Sequence, residues 1–191
     1  MSTCRTLVVV HGKSELIFCK GIASKLRINM EYDSNDKGET CIQIPHLEER
    51  FCTGPFKSEN SLHKKFGKLE YLGRETVKMP HLMIFSIMDT DDNSMEKSYR
   101  TGNMFHSSAF WGRIVPIFNT PNMDAVFNEC GFEIDRNNKV RSYSKLVNDI
   151  GLSEIIDTLK DSDNTNLCIF LNYCASITPS FQDSEDWQKR L

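Results

Sequence analysis

Residues Arg5 to Val10 read RTLVVV, and residues 11 to 15 read HGKSE. An apolar, β-branched run with no polar alternation is a strand buried on both faces, as in a parallel sheet covered by helices. His11-Gly12-Lys13-Ser14 breaks the run. From Glu15 to Leu26, Leu16, Ile17, Cys19, Ile22, Ala23 and Leu26 fall at helical spacing. The chain therefore begins as strand, glycine turn and helix, with Ser14 expected to cap the helix through its hydroxyl. Gly12-Lys13-Ser14 is the tail of a P-loop pattern, but that pattern needs glycine at position 7, where Leu7 stands. An ordinary P-loop is excluded, and only a short anion nest at the turn remains.

The same grammar recurs. Leu82 to Met88 (LMIFSIM) is a second buried strand and runs into Asp89-Thr90-Asp91-Asp92. Gly112 to Phe118 (GRIVPIF) is a third, and Pro116 marks it as an edge or a bulge. Cys41 to Ile44 is a short strand candidate after the polar turn 33–40. Helices are expected over Ser61 to Tyr71, Met95 to Phe105, Asn122 to Cys130, Val140 to Ile150 and Ser153 to Lys160. The pattern of Asn166 to Ile177 also fits a helix. Strands alternating with helices predict an α/β fold with a mostly parallel sheet flanked by helices over 1–131. A helical C-terminal extension packed on the same domain is expected over 132–191. At 191 residues the chain has the size of one domain.

Composition narrows the class. The formal net charge is −3, which excludes a uniformly basic coat, so any nucleic-acid contact must use a local patch or a metal. Seven cysteines, an odd number with no CxxC, argue against a disulfide framework or a zinc ribbon and fit reduced thiols in a cytoplasm. Neither a secretory leader nor a run of ~20 apolar residues is present, so no membrane role is expected. There is no G-x-S-x-G nucleophile turn.

Ligand-binding groups of open α/β sheets gather beyond the carboxyl ends of the strands. The first strand ends in His11-Gly12-Lys13-Ser14-Glu15 and the second in Asp89-Thr90-Asp91-Asp92. Carboxylates at i and i+2 repel unless a cation lies between them, and oxygen-rich sites suit hard ions such as magnesium or manganese. The bland alternative is a solvated acidic turn.

Together the two motifs resemble the signature of the Toprim domain of topoisomerases, primases and OLD-type nucleases. In that family a strand ends in E-G-x-x-[DE] and a later strand in D-x-D. VVVHGKSE is similar to VVVEGKSE with one change, and MDTDD is similar to the second motif. The resemblance implies a Rossmann-like fold and metal-dependent phosphodiester cleavage or transfer on a nucleic acid. It implies a small protein of defence, repair or recombination, with Gly12 as the turn glycine. Asp89 and Asp91 would hold magnesium or manganese, Asp92 would be a further ligand, and Glu15 would complete the site or act as base. His11 stands where the family has its first glutamate. Two readings follow: imidazole serves as an altered ligand or base, or the domain has become a non-catalytic module that binds nucleic acid or protein, possibly as a homo-oligomer.

The segment 56–78 concentrates lysines among aromatics. Lys64, Lys65 and Lys68, with Lys13 at the turn, are the candidate phosphate contacts; a solvated helix face is the competing reading. Asn119 and Asn122, at the end of the third strand, are expected to cap the next helix or touch a ligand. Cys19, Cys168 and Cys174 fall on apolar faces and are expected in the core.

Overall fold

A computed structural model describes residues 4–73, 77–90 and 95–178. Four parallel strands form one sheet: β1 (Thr6–Val10), β2 (Glu31–Asp33), β3 (Met83–Asp89) and β4 (Ile114–Asn119), in the order β2-β1-β3-β4. The register pairs Val10 with Ile87 and Asp89 with Asn119. Chain order reverses beside β1, so the carboxyl ends of β1 and β3 flank the switch point, where such sheets bind ligands.

The sequence pattern explains both faces. Val8, Val10, Phe85, Ile87 and Ile117 point into one apolar cluster. It is closed by α1 (Lys13–Leu26), α5 (Met123–Glu129), α6 (Lys139–Asp149), α7 (Leu152–Leu159) and α8 (Leu167–Ser176). Leu7, Val9, Ile84 and Met88 point into a second cluster with Phe51, Phe56, Phe105 and Phe110. That side carries α2 (Leu47–Cys52), α3 (Glu59–Lys65) and α4 (Glu96–Arg100). Burial on both faces is why RTLVVV shows no alternation.

The edge expected from Pro116 is real: among the described strands β4 pairs with β3 alone, with a single further bridge from Asn119 to Thr165. Asn166 covers part of that edge: its Nδ2 donates to Pro116 O (3.0 Å) and its Oδ1 accepts the Phe118 N–H (2.8 Å).

Several local expectations are corrected. Gly12, not Ser14, is the N-cap of α1, and the Ser14 hydroxyl instead accepts from Lys139 Nζ at 2.9 Å. Cys41 to Ile44 forms no strand; a 3-10 turn runs over Ile44–His46, with Pro45 inside it. The strand lies earlier, at Glu31–Asp33. The helix expected to reach Tyr71 ends at Lys65. Cys19 and Cys174 are buried, whereas Cys168 is only partly so. Among the described residues no helix is long and apolar enough to cross a membrane.

A candidate acidic site at the carboxyl end of the sheet

The β1 exit is pinned on both sides. The His11 N–H donates to Ile87 O of β3 (2.8 Å), and the His11 carbonyl accepts the Ile42 N–H (2.7 Å). His11 is buried. Continuing the register beyond Val10 and Ile87 brings the Gly12 turn level with Asp89. Glu15, one turn into α1, folds back so that its Oε2 accepts the Gly12 N–H at 2.9 Å. This is the reciprocal half of a capping box.

The other oxygen, Glu15 Oε1, is buried and has no hydrogen-bond partner among the described residues. The whole residue is 1% exposed. Burial therefore pushes the Glu15 carboxyl up to about 7, helped by the like charge of Asp124 and opposed by the Gly12 hydrogen bond and Lys139.

Asp89 ends β3. Its Oδ1 accepts the Met123 N–H at 3.0 Å, the first amide of α5. Asn122 caps that helix, its Oδ1 accepting from Ala125 N at 3.0 Å. Asn119 is not the cap. It is buried, its Oδ1 accepts the Thr165 hydroxyl (2.9 Å), and its Nδ2 has no partner among the described residues.

Asp124 escaped notice in the sequence, where it reads as an ordinary first-turn helix residue. In the fold it is buried beside Glu15. Its Oδ1 accepts the Tyr143 hydroxyl (2.6 Å), and its Oδ2 pairs with Lys139 Nζ (2.6 Å). Glu15 and Asp89 also raise the pKa of the Tyr143 hydroxyl electrostatically, more weakly than burial and the direct contact with Asp124. A usable signal was present: Asp124 lies five residues after the end of β4, at the same carboxyl edge as the two motifs.

Asp91 and Asp92 lie outside the described residues. Among the described residues no three His, Cys, Asp or Glu side chains stand together as a ready metal group. A hard divalent cation nonetheless fits the donors present. They are carboxylate oxygens, and Glu15 Oε1 is a buried acceptor without a hydrogen-bond partner among the described residues, which a cation could satisfy.

The lysines of the candidate interface are paired to carboxylates. Lys13 Nζ meets Glu39 at 2.6 Å, Lys65 Nζ meets Asp33 at 3.0 Å, and Lys68 Nζ lies 3.9 Å from Glu31. Lys64 is exposed. Three of the four thus frame the outer edge of β2 and the Gly12 turn, and part of their charge is already used.

Comparison of the chain with protein-family models, curated proteins and solved structures finds no match.

Proposed function

We propose that this chain is a Toprim-like enzyme that cleaves or transfers nucleic-acid phosphodiesters with a divalent metal. One observation carries the reading. Acids from the ends of the two adjacent central strands, Glu15 after β1 and Asp89 on β3, flank the switch point, and one Glu15 oxygen is buried with no hydrogen-bond partner among the described residues.

Glu15 and Asp89, with Asp91 and Asp92 from the same motif, would hold magnesium or manganese. The ion would neutralise charge on the scissile phosphate and lower the pKa of a water. The chain's own groups set the stage for that. The Gly12 amide holds Glu15 Oε2, and Oε1 has no hydrogen-bond partner among the described residues. The Met123 amide fixes Asp89. Lys139 and Tyr143 neutralise and immobilise Asp124, which limits repulsion against Glu15. Before the ion binds, the Glu15 carboxyl is pushed up to about 7, so ion binding would displace a proton near neutral pH. His11, at the β1 exit, would be the second titratable group of the site.

The rival reading is a degenerate Toprim-like module that binds nucleic acid or protein without cutting. It is favoured by the structural use of Asp89 Oδ1 and Glu15 Oε2, each of which accepts a backbone amide.

Plasmid, single-stranded DNA and RNA incubated with magnesium or manganese separate the two. Cleavage by the wild type that falls at least ~100-fold in Asp89→Ala supports the enzyme. Cleavage that survives Asp89→Ala overturns it. Binding without cleavage, with activity gained in His11→Glu, identifies the degenerate module.

A further inference from the structure

Asp33 ends β2, and its side chain is 1% exposed. A buried carboxylate needs compensation, and two cations supply it: Arg50 Nε donates to Oδ2 (2.7 Å) and Lys65 Nζ to Oδ1 (3.0 Å). Arg50 Nη1 is anchored on Asn35 Oδ1 at 3.1 Å. Two positive groups on one carboxylate leave one positive charge in excess. Arg50 Nη2 makes no hydrogen bond among the described residues, and Lys65 is half exposed.

Both cations line a cleft of about 430 Å³, with His46, Thr53 and Pro55 on its walls. The cleft also contains Glu49, which makes no ion pair among the described residues and offsets that excess. Asp33 holds the cations in place from beneath, so their free donors are preorganised for an anion entering from solvent.

We propose that this cleft binds a phosphodiester of the nucleic-acid strand, outside the acidic site. The ligand's identity rests on the function proposed above. The cleft lies on the α2 and α3 face of the sheet, beside Val9, whereas Glu15 is carried by α1 on the opposite face, so the strand would cross the carboxyl edge of the sheet between them. Arg50 and Lys65 would then grip a backbone phosphate remote from the scissile bond. Glu49 sets the limit on affinity by repulsion.

Fluorescence anisotropy with a labelled single-stranded oligonucleotide in EDTA tests the cleft without catalysis. Lys65→Gln is expected to weaken binding about 3- to 10-fold and to reduce the slope of log K against log salt by about one. Glu49→Gln is expected to tighten binding, a gain that misfolding cannot imitate. Lys145→Gln, on α6, serves as the surface-charge control and is expected to bind as the wild type. Asp89→Ala is expected to bind while failing to cleave. Unchanged binding in both Lys65→Gln and Glu49→Gln overturns the cleft, even if the wild type cleaves. Absence of any oligonucleotide binding by the wild type overturns it as well. If no variant cleaves but the two cleft variants still move in opposite directions, the cleft stands and the enzymatic reading falls.

Discussion

Tyr143 donates its phenolic proton to Asp124 Oδ1 across 2.6 Å, joining α6 to α5. Burial, and then Asp124 itself, raise the Tyr143 pKa well beyond its ordinary value, so the hydroxyl remains a donor throughout the working pH range. Tyr143→Phe strands a buried carboxylate oxygen. The expected loss is about 1.5–3 kcal/mol, the range for a hydrogen bond to a charged group, read as a lower urea midpoint at unchanged m-value.

Glu15 gives stability a pH dependence opposite to that of most carboxylates. Its carboxyl titrates at about 7 in the fold against an ordinary 4.5, so the native state keeps a proton that the unfolded chain releases. The stabilisation from that proton is complete below the unfolded value and is lost as pH rises through 7. The ceiling is about 3 kcal/mol at 1.36 kcal/mol per unit. Urea titrations at intervals from pH 4.5 to 8 are expected to show this decline, and Glu15→Gln to remove most of it. A wild-type curve that is flat or rising over the window would refute the assignment.

A divalent cation competes with that proton. Manganese is therefore expected to raise Tm more at pH 8 than at pH 5.5. At 100 times the Kd the gain approaches ~2.7 kcal/mol. Glu15→Gln and Asp89→Ala should each abolish the difference between the two pH values. Equal shifts in wild type and variants would mean the ion binds elsewhere.

The glycine that the fold most needs is not the one in the motif. Gly12 has φ −157°, an extended conformation open to any residue, and a Cβ there would meet Cys41 Sγ at 3.4 Å. Gly38 has φ +92°, and a Cβ there would stand 3.0 Å from Lys13 Cα. Gly38→Ala must strain its own backbone and push the Gly12 turn. It is expected to cost more than the ~1 kcal/mol usual for such a change and to lower activity more than Gly12→Ala. Thermal melts and cleavage rates of the two variants check the order.

Asp33 and Lys65 form one ion pair but differ in exposure. Asp33→Ala removes the buried carboxylate that holds both cations, leaving Arg50 and Lys65 partly exposed and unpaired, and is expected to cost about 1–3 kcal/mol. Lys65→Gln removes a half-exposed partner while Arg50 remains, and it should cost under ~1 kcal/mol. Urea midpoints for the two variants decide the ranking.

The long elements were legible because burial leaves its mark on composition. LVVV and LMIFSIM announced β1 and β3, and Asn122 announced its own cap. β2 was hidden for a physical reason. Glu31-Tyr32-Asp33 has two acids in three residues, and Lys68, Lys65 and Arg50, distant in sequence, compensate them. Ser14 is a good capping residue by type, yet the backbone starts the helix two residues earlier and gives Ser14 to Lys139. Asp124 stayed invisible because its partners, Tyr143 and Lys139, come from another helix. Local pattern carries propensity and periodicity; it does not carry the long-range ion pairs that make a charged residue buriable.

The hydroxyl of Thr6 lies 3.2 Å from that of Tyr173, and Lys25 of α1 reaches the carbonyls of Asn148 and Ile150 at the end of α6. The first strand is thus completed by the last described helix. During synthesis β1 waits some hundred and fifty residues for α8. A nascent chain halted near residue 131 would already carry α1 and α5 but would leave Phe85 without Phe170 and Tyr173, an apolar surface open to chaperones.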